Sequence, residues 1–571
     1  MSTNDKRWDG YPGSRRQFLK AAGATGTIGL TGLAGCAGDD PDEDDVADDD
    51  TTEVDDDAVV DDPAGDPVTM VYEGCAPDLP LRNWYGEAQV NNLEEIGFEV
   101  EYHARAAPAY VEAIFVERNH DATPLRWLDG FDPDRALSDS ASSEQLGEGG
   151  GNVSGHDDDW YQEQLHAQRA ATDQDERQAI VHEMQEHLVE EGVFTPLFVQ
   201  DRAMPYNSDV VSNTVEFLED GLSSVWNLIN VEVDNDDNII RAAYHEETSS
   251  LNPVTGLVMR SNRDALRLVY DRLMMVDPDN EYLPSPWAAE SVDIPDDTTY
   301  EITLRDGMEF HDGEPVTAED VRFSYEYCIE HNDALAGLTG PLEEIEVIDD
   351  LQLTMHLSEP SAPFEIRVLA GRNAPILPQH HWEGEDPGGE GEQPSDVGSG
   401  PFQLDTWERG EEIRLSAHDG HHHEPNVDGY IRVETADGSG SASMLLGQEV
   451  DMIPYDMPPD QIISLEQEDF IEVQSSLMTS IHYTAWNMRR EPFSIREARR
   501  AGHHTLNRHD VVDIAADGLG QVIRGTFSPD LDFWYNADVP EYPFDLDEAR
   551  NKLAEAGFQW DAGTGQLHYP P

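Results

Sequence analysis

His182, Glu183 and His187 give the spacing HExxxH, one residue longer than the HExxH pair that brings two imidazoles and a glutamate base together on a zinc-binding helix. Five residues apart, the two histidines do not share a helical face in the required way, so the stretch reads as a solvated amphipathic helix. His421-His422-His423, close to His418, is dense enough in imidazole that it could bind a metal. His503-His504 fall in a helical pattern and read as packing. The chain shows no G-x-S-x-G elbow, no Walker loop and no Ser-His-Asp order. No catalytic residue and no cofactor are therefore expected. Asn152-Val153-Ser154 is a glycosylation sequon of the kind found on exported loops.

The elements around these residues are easier to read than the chemistry. From Tyr300 to Tyr327, Tyr300, Ile302 and Leu304 alternate with Glu301 and Thr303, the period of a half-buried strand. Asp306-Gly307 and Asp312-Gly313 supply two turns. Thr317 is placed to cap a helix with Glu319 and Asp320 in its first turn, and Val321, Tyr325 and Cys328 follow on one face. The formal charge of -85 accompanies 38% hydrophobic residues and 11 Trp, so the body is globular and not a disordered polyanion. Lysine occurs only at 6, 20 and 552. An acid-rich, lysine-poor globular chain points to very high salt and to a haloarchaeal source, because a screening length of about 3 Å at 1 M suppresses self-repulsion. Nucleic acid is excluded as a partner for want of a basic patch. Three cysteines, Cys36, Cys75 and Cys328, make no disulfide framework.

Ser14-Arg15-Arg16-Gln17-Phe18-Leu19-Lys20 matches the twin-arginine export signal, with Arg15 and Arg16 as its pair. A mildly apolar run follows, too short to span a membrane. Leu33-Ala34-Gly35-Cys36 resembles a lipobox, with Cys36 as the lipidated residue. Residues 1–36 are thus expected to be a lipoprotein signal. Residues 37–66, dominated by Asp and without Lys or Arg, are expected to be a disordered tether that holds the body off the membrane.

From Val68 onward a strand, a helix ending near Gly97 and a second strand at Phe98–Tyr102 give βαβ grammar and a parallel sheet. The wording of Tyr300–Tyr327, with "LRDG" and "FHDGEPVTAEDVRFSY", resembles the signature of the family 5 extracytoplasmic solute-binding proteins. Other segments resemble the same family: Thr172–Arg177 opening a helix through Leu188, Val193–Phe198 and Trp226–Leu228 as late strands, Ser250–Pro253, Val397–Phe402, Leu445–Asp451, Trp486–Asn507 and Glu548–Phe558. Residues 67–235 resemble the family's closing third, and 238–571 its opening two-thirds. The order implies a circular permutation, old ends joined through Asp234–Asn238 and Pro67 close to Pro571; gene assembly or annotation artefact is the rival.

The resemblance implies a mixed α+β, two-lobed periplasmic-binding-protein fold with an extra small domain. Its parts would be 67–205 (lobe II), 206–262 (lobe I), 263–396 (small domain), 397–480 (lobe I) and 481–571 (lobe II). It implies a monomeric binder, lipid-anchored on the outer face of the membrane. The binder would deliver a peptide or other small solute to an ABC permease by hinge closure, without cofactor or metal. In the family, an Asp shortly after a Trp receives the peptide's ammonium group; here that implies Trp127 and Asp129, in a segment one residue shorter than usual. Tyr244 and His245 would end a lobe I strand, and Trp486 and Asn487 would stand at the hinge. The family's surface strand-turn at His421–His423 implies a structural role there. A sensor for a signalling receptor and an exported hydrolase are the alternatives.

Overall fold

The computed structural model describes residues 58–571 apart from 76–78, 127–129, 257–259, 333–338, 372–373 and 389–395. Arg15, Arg16 and Cys36, the tether up to residue 57, and Trp127 and Asp129 lie outside the described residues. β1 (Val59–Val60) precedes β2 (Thr69–Cys75), whose Met70 and Tyr72 are buried. α1 (Pro80–Glu95) starts on a proline, which loses no hydrogen bond there. It returns the chain to β3 (Glu99–Arg105), parallel to β2 with Thr69 opposite Glu99. Gly97 makes that connection at φ +102°, where a Cβ would stand 2.7 Å from the Gly565 carbonyl oxygen.

β4 (Ala122–Arg126), α2 (Pro133–Ala141) and α3 (Gln174–Glu190) lead to the 14-residue β5 (Phe194–Asn207). Trp226–Leu228, expected as a strand, is instead part of a short helix, Val225–Asn230. The Ser224 side chain accepts the Asn227 N–H and so caps a turn that pairing with a sheet would have required to be extended. β6 (Ile239–Tyr244) and α4 (Arg260–Val269) follow.

β7 (Ala289–Asp296), β8 (Thr299–Leu304), α5 (Ala318–His331), β9 (Leu342–Val347) and β10 (Gln352–Leu357) give an antiparallel sheet of order β7-β8-β10-β9 with a helix. Tyr300, Ile302 and Leu304 are buried, and Thr317 and Asp320 form a reciprocal capping box on α5. Val321, Tyr325 and Cys328 turn inward, and Cys75 is buried likewise.

β11 (Phe402–Glu408), β12 (Glu412–Ala417) and β13 (Gly429–Glu434) join β6 in the order β11-β12-β13-β6. The 16-residue β14 (Ile471–Trp486) and β15 (Gly520–Val522) complete a six-stranded sheet of order β15-β5-β14-β4-β2-β3. β5 and β14 run antiparallel from Phe194 opposite Ala485 to Asn207 opposite Ile471, with a register shift between Leu477 and Ile481. At their far end Met452 bridges Tyr206 on one side and Ala242 on the other. Two long strands therefore belong to one sheet at one end and reach the other at the opposite end.

α6 (Leu546–Glu555), β16 (Gln559–Asp561) and β17 (Leu567–His568) close the described chain. β16 pairs in parallel with β1, and the Tyr569 N–H donates to the Asp66 carbonyl, so residues 58–66, expected as the end of the disordered tether, are instead held on the body by backbone pairing. Pro67 is bridged to His568, and the Val68 N–H donates to the Leu567 carbonyl at 2.8 Å. The Trp560 indole N–H donates to the Ile96 carbonyl at 2.8 Å. Val68, Met70 and Leu93 share one apolar core with Leu553, Phe558 and Leu567.

Candidate functional site

A cavity of about 500 Å³ opens between four stretches far apart in sequence: 130–135, 217–226, 267–276 and 366–371. The first is held by Asp132, the N-cap of α2, whose Oδ1 accepts the Asp134 N–H at 2.9 Å. Arg177 of α3 donates to both oxygens of the same carboxylate, at 2.8 and 3.1 Å. Asp134, one position into α2, receives Arg169 at 2.5 Å and Arg367 at 2.6 Å. Arg267 of α4 donates to Asp220 at 2.5 Å and Asp264 at 2.6 Å. Burial disfavours that guanidinium, but the two carboxylates outweigh it and push its pKa up. Phe131, Phe217 and Trp226 supply apolar wall, and four guanidinium groups, those of Arg135, Arg267, Arg272 and Arg367, reach the lining beside two carboxylates, Asp132 and Asp220. In a chain of net charge -85, four arginines against two carboxylates in one lining is a local concentration of cations, with Asp134 and Asp264 behind the wall paired to Arg367 and Arg267.

The four described residues expected to meet a ligand, Tyr244, His245, Trp486 and Asn487, lie elsewhere. Tyr244 is buried beneath the Arg432 guanidinium, which stands 3.6 Å from the ring centroid, and its hydroxyl accepts from Tyr430. His245 meets Tyr455 edge-on at 4.7 Å, and burial lowers its pKa. Trp486 is fully buried; its indole N–H donates to Thr195 Oγ1 at 2.9 Å, and Gly502 lies so close that a Cβ would stand 2.3 Å from the ring. Asn487 donates to the His120 carbonyl at 2.7 Å. The structure pairs Tyr244 with His245 at the end of β6, and Trp486 with Asn487 at the end of β14; none of the four lines the cavity. Trp127 and Asp129 lie outside the described residues; in sequence, Asp129 directly precedes the lining residue Gly130. The four lining arginines carried no signal of their own in the sequence, because only folding separates them from the other arginines of the chain. Asn152 of the sequon is wholly buried, its Nδ2 donating to the Ser142 and His156 carbonyls, so the folded loop does not offer that amide for modification.

Among the described residues, three groups of side chains have the donor set for a metal ion: His156, Asp158 and His187; Asp271, His421 and His422; and Asp312, His380 and His381. His187, one half of the HExxxH pair, thus turns toward His156 and not toward His182. In the second group Asp271 Oδ1 lies 3.2 Å from His421 Nε2 and accepts the Trp287 indole N–H at 2.7 Å. Burial drives the pKa of His422 down to about 3.

Residues 284–570, half of the chain, match the sequence model of the bacterial extracellular solute-binding proteins, family 5 Middle. Protein XP55 of Streptomyces lividans is 29% identical over 324 residues, covering 56% of this chain and 57% of that protein. The dipeptide-binding protein of Escherichia coli K12 is 26% identical, covering 48% and 55%. Among solved structures, a nickel ABC transporter protein of Bacillus halodurans aligns at 25% identity and a TM-score of 0.47, covering 58% of this chain and 66% of that one. The chain spans about half the length of the curated relatives it matches. It belongs to family 5 of the extracellular solute-binding proteins, a family of binders and not of enzymes.

Proposed function

We propose that the protein is a lipid-anchored binder that delivers a peptide, or another small solute bearing a carboxylate, to an ATP-driven importer. The observation that carries this reading is the cavity in which Arg135, Arg267, Arg272 and Arg367 stand beside aromatic wall in a strongly acidic chain. Cationic side chains around an apolar pocket hold an anionic group by charge-assisted hydrogen bonds. Relatives named as dipeptide- and oligopeptide-binding proteins support the choice of peptide, with Asp129 as the expected partner of its ammonium group. β5 and β14 serve as the hinge, closing the cavity as ligand stabilises one arrangement of the sheets. Export by the twin-arginine signal, lipidation at Cys36, a haloarchaeal source and action as a monomer belong to the same proposal. Protein purified in molar salt is expected to carry a co-purified acidic ligand visible by native mass spectrometry. Arg135→Ala is expected to weaken its rebinding by about tenfold or more, the worth of one hydrogen bond to a charged group. Ligand that rebinds equally to the variant sinks the assignment of the cavity.

The permuted order is part of this reading, supported by the bridge between Pro67 and His568 and by the core shared across that junction. A gene encoding residues 238–571 followed directly by 67–235 is expected to yield a folded protein binding the same ligand. An insoluble product, or one without ligand, counts against the permutation while leaving the cavity assignment to its own test.

A further inference from the structure

Asp271 follows α4 and lies under the turn between β12 and β13 that carries His421 and His422. One potential ligand atom from each of the three lies within 4.8 Å of the other two. Asp271 is 1% exposed. Its Oδ1 is engaged by Trp287 and His421, whereas Oδ2 is buried with no hydrogen-bond partner among the described residues. His422 likewise buries both ring nitrogens with no partner among the described residues. A neutral imidazole carries one N–H and one lone pair, so protein atoms leave three polar positions unmet in a single spot.

His421 is held for a different purpose. Its Nδ1 lies 2.9 Å from the His423 carbonyl oxygen and 3.0 Å from the His423 N–H. Both tautomers are therefore satisfied by backbone on that side. With the proton on Nδ1, donated to the carbonyl, Nε2 presents a lone pair toward Asp271, which is the outer support that orients a metal-ligating histidine. We propose that Asp271, His421 and His422 form a binding site for one first-row divalent cation, held by two imidazole nitrogens and one carboxylate oxygen, with water completing the coordination.

The donor set selects the class of ion. Two imidazoles favour zinc, nickel or copper over calcium and magnesium, which prefer oxygen alone. His422 is only partly buried, which puts its side of the site nearer to solvent than the buried Asp271. Trp287 stacks on His423 at 4.3 Å and meets Trp226 edge-on at 5.2 Å, giving the site an apolar shell that continues into the cavity wall. The other two groups are weaker candidates. Asp158 already accepts the Tyr161 N–H at 2.7 Å as a helix cap, and His380, at 40% exposed, faces water.

The inference does not depend on which solute the cavity holds, and its test does not use that solute. Full-length protein in molar salt is stripped with chelator, then titrated with Zn²⁺ or Co²⁺ alone. One equivalent is expected to remain after desalting by elemental analysis, with visible ligand-field absorption for Co²⁺ and a melting temperature that rises with the free ion. His422→Ala and His422→Gln are each expected to lower affinity by more than about tenfold, since even a partner behind a ligand is worth about 10- to 100-fold. A double His380→Ala, His381→Ala control is expected to bind as the parent does. Retention of no ion by the parent overturns the proposal. So does undiminished affinity in a folded His422 variant, or loss confined to the His380/His381 control; if one His422 variant fails to fold, the other and the parent's Co²⁺ spectrum decide.

Discussion

Dialysis from molar salt to about 0.1 M is expected to unfold the protein, with the emission of its buried tryptophans shifting to the red. The charge count alone points that way: 119 carboxylates against 34 lysines and arginines. The fold does not relieve the imbalance. Arg177, Arg432 and Arg499 are 1–2% exposed, and Arg202, Arg267 and Arg508 each 7%, and their burial is matched by that of acids such as Asp132, Asp134, Asp220 and Asp264, so the solvent-facing surface stays strongly acidic. Arg432 and Arg499 donate to backbone carbonyls, Ser261 and Glu246 for the first and Glu191 and Phe493 for the second. Those charges reinforce loops, and Arg499 also lies 3.9 Å from the Glu191 carboxylate. At about 0.1 M salt the screening length is about 10 Å, against about 3 Å at 1 M. Repulsion that is local in brine then acts across whole faces, and a fold stable by only about 5–15 kcal/mol has little reserve against it. Trp287, Trp382, Trp486 and Trp534 are each at most 2% exposed, so loss of the core reports directly in fluorescence. KCl and NaCl are expected to restore the fold at equal ionic strength, and sucrose at equal osmolality to do so poorly. A urea midpoint that does not move with salt overturns the prediction.

What the sequence made legible was local. In Tyr300–Tyr327 the strand period, the two glycine turns and the Thr317 cap each depend on neighbours within a few positions, and the structure shows Gly307 and Gly313 at φ +81° and +87° with the capping box closed. The parallel pairing of β2 with β3 followed from the same kind of signal. Trp226–Leu228 went the other way because the resemblance suggested a strand where Ser224 supplies a helix cap. The cavity was not legible, since its lining comes from four stretches and its arginines, Arg135 on α2, Arg267 on α4 and Arg272 and Arg367 outside both, are distinguished only by where the fold places them. The Asp271–His421–His422 group hid for a related reason. The histidine run is conspicuous, but the carboxylate that gives it meaning is 150 positions earlier. Trp486 and Asn487 show the opposite case, in which prominent residues serve packing and backbone hydrogen bonding at the end of a long strand.

Arg177→Met is expected to lower unfolding free energy by about 3–5 kcal/mol, the range for breaking one side of a buried ion pair. The guanidinium is 1% exposed, forks onto both oxygens of Asp132, donates to Gln168 Oε1 at 3.0 and 3.1 Å and lies 5.0 Å from the Trp534 ring centroid. Removing it strands a carboxylate that is 5% exposed, and desolvation of that unpaired charge is the main loss. Arg177→Lys is expected to recover only part, because a single ammonium cannot reproduce the fork and the ring contact. Asp132→Asn added to Arg177→Met removes the stranded charge while keeping a side-chain oxygen to cap α2, so the double variant is expected to be more stable than Arg177→Met alone. Urea titrations in molar salt measure all four states of the cycle. Because Phe131 and Asp132 line the cavity, Arg177→Met is also expected to weaken ligand rebinding beyond what the unfolded fraction explains. A loss below about 1 kcal/mol, or a double variant no better than the single, would show that the pair is not what holds the start of α2 against the cavity.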